Sequence, residues 1–193
     1  MLCKENGVLP SSYVYFHVSG ATARKLFFTL LCVGHYRCDG DYVVDRNCYS
    51  SFLLLHVLKG EGYAWHRGTW LTLREGDFLL LDCYAPHRYG TDSGWEILWT
   101  HFDGPMARAY YDALSSVRLR RPPHPVLMTH ELWRLYYLFH REKRASDAQI
   151  HHRLDNILME CASPSATAPP DVSAPSMEEL ASYIETHLAE DLP

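Results

Sequence analysis

Residues 52–81 read FLLLHVLKGEGYAWHRGTWLTLREGDFLLL, and this stretch decides the fold class. Four short runs of aromatic and aliphatic side chains, Phe52–Leu58, Tyr63–His66, Trp70–Leu73 and Phe78–Leu81, alternate with the turn signals Lys59-Gly60-Glu61-Gly62, Arg67-Gly68-Thr69 and Glu75-Gly76-Asp77. Short apolar runs punctuated by glycine read as β-strands. The same texture continues upstream in Tyr13–Val18, Leu26–Val33 and Tyr42–Val44, with Cys38-Asp39-Gly40-Asp41 as a further turn, and downstream in Trp95–Phe102. Many short strands at this spacing predict a sandwich or a barrel. In Trp95–Phe102 the odd positions Trp95, Ile97, Trp99 and His101 share one face, because strand side chains alternate with a period of two. Two indoles and an imidazole on one face suit the inside of a small barrel.

After Gly104-Pro105 the pattern turns helical. Met128, Leu132, Leu135, Tyr136 and Phe139 recur at helical spacing, as do Ile150, Leu154, Ile157, Leu158 and Cys161. The polar stretch Arg141–Asp147 between them predicts an antiparallel helical hairpin. Its apolar stripes have two uses, packing on the barrel or pairing with a second copy of the chain. Residues 162–176 are Pro, Ala, Ser and Thr with one acid and one Val, the composition of a linker. A helix signal then resumes, with Ser176-Met177-Glu178-Glu179 as a capping box and Leu180, Tyr183, Ile184 and Leu188 as a stripe. One amphipathic helix cannot bury its own stripe, so 177–193 is expected to be the truncated start of a second domain. The expected organisation is an arm at 1–12, a barrel at 13–104, a helical region at 105–161, the linker at 162–176 and this last segment.

Charge follows the same division. Eighteen Lys and Arg stand against twenty-three Asp and Glu, a net charge of −5. Glu178, Glu179, Glu185, Glu190 and Asp191 account for all of the excess, in a segment without Lys or Arg. The preceding residues are neutral and carry no strongly basic surface of the kind a self-sufficient nucleic-acid binder needs. No apolar run reaches the ~18–20 residues of a membrane span, and the amino terminus lacks the order of a secretory signal. Six cysteines without a CxxC pair fit a reduced, cytoplasmic protein without structural zinc. Neither a phosphate-binding glycine loop nor a GxSxG elbow is present.

Four segments together carry a family resemblance: Arg46…Phe52–Gly62, Leu73–Leu81, Pro86-His87-Arg88-Tyr89-Gly90 and Trp95…Trp99-Thr100-His101-Phe102. They resemble the amino-terminal effector-binding and dimerisation domain of the AraC-type transcription regulators, a mainly β fold in which a cupin double-stranded β-helix barrel, or jelly roll, precedes a helical hairpin. Tyr183–Leu192 is similar to the start of that family's helix-turn-helix DNA-binding domain. The resemblance implies a bacterial regulator, not an enzyme. A small effector, a carbohydrate, would bind in the barrel, and a homodimer would form through Ile150, Leu154, Ile157, Leu158 and Cys161. DNA would be contacted only by the domain that 177–193 begins.

Cupin barrels also house metal enzymes acting on small polar substrates, the alternative reading. Counted back from Gly60, the family's glutamate position falls on Leu53 and its two histidine positions fall within Arg46–Tyr49, where there is no His. Only His87 matches a ligand, whereas a catalytic shell normally needs three protein ligands. No metal and no cofactor are expected. The resemblance implies that Arg46 hydrogen-bonds effector hydroxyls through its five-donor fork, though pairing with Asp45 or Asp82 would also explain it. Tyr89 would supply a hydroxyl. The Trp99 indole would stack on a sugar ring or serve as plain core. His87 and Trp95 complete the expected pocket, with His87 also readable as a hydrogen-bonded structural histidine. Cys32 and Ile97 stand where a sugar-sensing member has Thr and His, which changes the polarity the effector would meet. The arm, Met1–Ser12, would close over the pocket if it behaves as the arms of some members of the family that the chain resembles.

Overall fold

The computed structural model describes residues 5–66, 68–114, 121–141 and 145–162. Among these, eight strands precede the helical segment: β1 (Tyr13–Phe16), β2 (Thr29–Cys38), β3 (Val43–Arg46), β4 (Phe52–His66), β5 (Thr69–Arg74), β6 (Phe78–Asp82), β7 (His87–Gly90) and β8 (Trp95–Asp103). A single-turn helix α1 (Ala23–Leu26) separates β1 from β2, and α2 (Ala107–Leu114), α3 (Pro125–His140) and α4 (Asp147–Ala162) follow β8.

Strand β4 belongs to both walls of the barrel. Its first half pairs with β6 and β8, in a sheet continued by β2 and β1. Its second half pairs with β5 and β7, in a sheet continued by β3. All of these pairings are antiparallel, and the two curled sheets make a cupin-like barrel. The halves of β4 meet at a bulge between Val57 and Lys59 and at Gly60, whose φ of 81° suits glycine. A Cβ at Gly60 would also lie 2.5 Å from the Gly94 carbonyl oxygen. The sequence reading expects a turn at Lys59–Gly62, and the strand instead runs through it.

Alternation along the strands sorts side chains into two cores. One lies between the outer face of the first sheet and the helices, and includes Leu30, Phe52, Leu54, Leu98 and Phe102 against Met128, Leu132, Leu135, Ile157 and Leu158. The other fills the barrel interior with Cys32, Leu53, Leu55, Val57, Tyr89, Ile97 and Trp99.

This arrangement corrects the assignment of the α4 stripe. Ile150, Leu154, Ile157, Leu158 and Cys161 are all buried within the single chain, packed on the sheet and on α3. The outer sheet face is itself apolar and needs a layer over it, which the hairpin supplies. These five residues are therefore not free to meet a second copy. The hairpin is locked by a capping box at the start of α4, where the Gln149 backbone N–H donates to Ser146 Oγ and the Ser146 N–H donates to Gln149 Oε1. Buried Glu131 on α3 accepts from Arg134 at 3.2 Å and from Arg153 of α4 at 3.0 Å. Among the described residues no helix is long and apolar enough to cross a membrane. The expected linker beyond Ala162, the helix at 177–193 and residues 1–4 of the arm lie outside the described residues.

Candidate ligand-binding site

A cavity of about 260 Å³ opens inside the barrel. Its walls follow from the period of two. Val14 and Phe16 come from β1, Cys32 and Tyr36 from β2, Val44 and Arg46 from β3, and Trp99 and His101 from β8. Tyr89 of β7 and the loop residues Tyr42 and Tyr49 add hydroxyls, and Glu5 of the arm completes the lining. The arm is anchored there by the Asp39 N–H donating to the Gly7 carbonyl at 2.9 Å and the Leu9 N–H donating to the Arg37 carbonyl at 2.8 Å.

The position of Trp99 depends on what faces it. In the β2–β8 ladder its partner is Gly34, between Cys32 and Tyr36. A Cβ at Gly34 would sit 2.5 Å from Trp99 Cζ2, so only glycine lets the indole lie across that strand. Tyr36 meets the indole edge-on at 5.0 Å between centroids. The buried Trp99 Nε1 has no hydrogen-bond partner.

His101 is held in one tautomer. The Tyr49 carbonyl can only accept, so Ser51 Oγ donates to it at 3.0 Å and must accept from His101 Nδ1–H at 2.9 Å. Nε2 is left as the acceptor of a neutral ring. Burial, with the charge of Arg46 and proximity of His87, pushes its pKa down to about 3. Burial pushes the Cys32 thiol up to about 11 against the opposing pull of Tyr49, His101 and Arg46, and raises Tyr42 and Tyr89 in the same way. An imidazole near 3 and a thiol near 11 are both poorly matched to proton transfer at neutral pH. The lining is suited to hold a polar molecule.

Arg46 carries the cavity's positive charge. Its guanidinium carbon lies 5.1 Å from the Tyr49 ring centroid. The carboxylates that the sequence offered as partners are taken: Asp45 pairs with Arg88 at 3.6 Å, and Asp82 binds Arg108 at 2.6 and 3.2 Å. Among the described residues no carboxylate lies within ion-pair distance of Arg46.

Of the seven pocket residues expected from sequence, Arg46, Tyr89, Trp99 and Cys32 line the cavity. His87, Trp95 and Ile97 do not. His87 is buried with Nδ1 donating to the Ala85 carbonyl at 2.9 Å, the structural role that the sequence also allowed. Trp95 packs over Gly62, where the missing Cβ makes room. Ile97 is fully enclosed, in register with Tyr36 and Val57. Val14, Phe16, Tyr36, Val44 and His101 were reachable by extending the alternation of residues already named. Tyr42, Tyr49 and Glu5 lie off the strands and give no periodic signal. Among the described residues no group of three His, Cys, Asp or Glu is placed to hold a metal ion.

A curled barrel with an aromatic and polar interior cavity defines a small-molecule binding domain. Residues 31–162 match the family model of the AraC-like ligand binding domain, and the chain belongs to that family. No curated protein matches the chain in sequence. Solved structures similar to it are distant. The Cupin_2 domain of an XRE family transcriptional regulator from Enterobacter cloacae is 14% identical, covering 49% of this chain and 98% of its own, with a TM-score of 0.37. YhaK from Escherichia coli is 15% identical, covering 49% and 45%, with a TM-score of 0.42. The plu4264 protein from Photorhabdus luminescens is 10% identical, covering 60% and 91%, with a TM-score of 0.40.

Proposed function

We propose that this chain is the effector-sensing module of a bacterial transcription regulator acting in the cytoplasm, and that its barrel binds a carbohydrate. The observation that carries the reading is the meeting of Arg46 and Trp99 in one cavity of about 260 Å³. A fork of donors that finds no carboxylate partner among the described residues, beside an indole face, suits a ring rich in oxygen atoms. The volume suits a monosaccharide-sized ligand better than a drug-sized one. The module binds and does not catalyse, since burial holds His101 and Cys32 far from neutral and Leu53 stands at the metal-ligand position.

In the intact regulator a carboxy-terminal helix-turn-helix domain contacts DNA, and the module forms a homodimer. With the inner stripe of α4 buried, that dimer uses the outer surface of the hairpin, where Val126, Leu127 and Met159 are exposed. A thermal-shift screen over sugars tests the effector claim: at least one raises the Tm of the parent by several degrees and leaves Arg46→Ala unmoved. Equal stabilisation of both removes Arg46 from the site. Sedimentation at micromolar concentration tests the dimer, with twice the chain mass expected and Leu127→Glu halving it.

A further inference from the structure

The charge balance of this cavity bears on the charge of its ligand. Asp45 and Arg46 are neighbours on β3, so they face opposite sides of the strand. Asp45 lies opposite Arg88 in the β3–β7 ladder and pairs with it there. Arg46 is left to the cavity with only an aromatic face beside it. Its charge is felt by Cys32, Tyr89 and His101, each of which it shifts toward the form with less positive charge. The Trp99 ring borders the same cavity, lying against Gly34 with its Nε1 buried.

A neutral sugar could place its hydroxyls on His101 Nε2 and on the tyrosine hydroxyls of the lining, but it would leave the Arg46 charge without a counter-charge. A carboxylate accepts only, and its two oxygens match the guanidinium fork. We infer that the effector is a sugar acid or a similar polyhydroxy monocarboxylate, with its carboxylate on Arg46 and its ring or chain against Trp99. This rests on the reading of the cavity as an effector site and narrows its chemical class. Glu5 is the one acid among the lining residues, it is exposed, and it comes from the arm. It opposes an anionic ligand, so the arm weakens binding of the acid that the barrel wall attracts.

Isothermal titration of the full chain with two matched pairs, D-glucose with D-glucuronate and D-galactose with D-galacturonate, tests the assignment. Each pair differs only in whether C6 is an alcohol or a carboxylate. One acid is expected to bind at least tenfold more tightly than its neutral partner. Arg46→Gln should abolish that advantage and Glu5→Gln should increase it about two- to fivefold, with circular dichroism confirming that both variants fold. A neutral sugar that binds as tightly as its acid, and is lost in Trp99→Ala, overturns the carboxylate assignment while upholding the carbohydrate site. Absence of binding by all four ligands overturns both.

Discussion

Strand β8 has two faces built to opposite specifications. On the helix side, Leu98 and Phe102 are at most 1% exposed, and every histidine at the junction is engaged. His17 bonds Asp147 at 2.8 Å, His140 bonds Tyr15 at 2.7 Å, and His151 Nδ1 accepts from the Phe28 N–H at 3.1 Å. His35 holds Glu96 at 2.7 Å while its ring packs on Trp133, and His56 reaches Thr129 of α3 at 3.0 Å. On the barrel side, Trp99 leaves its N–H open, as does Trp95, and His87 Nε2 is open too. These are three of the four buried side-chain polar atoms without a partner among the described residues; the fourth is Glu160 Oε2 on α4. Buried polar groups are nearly always satisfied, so the open ones stand out, and of the three residues on the barrel side only Trp99 borders the cavity. The helix side holds the fold, and the barrel side is shaped for what it binds.

Four changes sharpen or break this contrast. The largest effect belongs to the helix side: Phe102→Ala should lower stability by about 3–5 kcal/mol in urea unfolding, because the packed junction cannot collapse around the cavity. A loss below ~1 kcal/mol would break the contrast at once. Next is acid. Burial holds His101 and His56 below the usual histidine value of 6.5, so the unfolded chain takes up protons first. Stability is therefore full well above pH 6.5 and falls as the pH drops toward about 3, by on the order of 3 kcal/mol at pH 4 from His101 alone. His101→Asn should flatten most of that slope when unfolding is compared at pH 7 and pH 4. Third, Trp99→Phe should cost about 1–2 kcal/mol of stability and weaken ligand binding about tenfold, since the smaller ring keeps an aromatic face but covers less of the ligand. The smallest effect is at the rim of the junction. Asp147→Asn should cost at most about 1 kcal/mol at pH 7, discounted for the carboxylate's partial exposure. Its bonds to His17 and the Gly20 N–H hold the Asp147 pKa below the ordinary 3.8, so the difference should begin to fade below pH 3.8 and vanish as the pH falls through the lower folded value.

The contrast between faces was legible in Trp95–Phe102, because alternation needs only the order of residues. The family and its barrel were likewise readable from motif order. Other features depended on contacts between distant residues. Gly60 and Gly62 read as a turn, yet Gly60 takes its positive φ within the ladder, just after the bulge, and Gly62 lies under the Trp95 ring, so β4 continues. Gly34 interrupts the apolar run of β2 and hides its extension to Cys38, although that glycine is what admits Trp99. Strand β7 is four residues with a proline just before it, too short to show a period. The side of the hairpin that would be buried was undetermined because a helical stripe does not name its partner. Arg46 was ambiguous until Asp45 and Asp82 were seen on other arginines.

The double membership of β4 has a kinetic consequence. Its pairings with β5 and β6 join segments close in sequence, so they can form early. The ladder between β2 and β8 joins residues as far apart as Thr29 and Asp103, and closing so long a loop costs entropy before any contact rewards it. The 52–82 region should therefore nucleate folding and β2 should join late. The wall that carries Cys32, Gly34 and Tyr36 would then be the last to take shape, and a newly made chain would acquire its ligand-binding cavity only in the final step of folding.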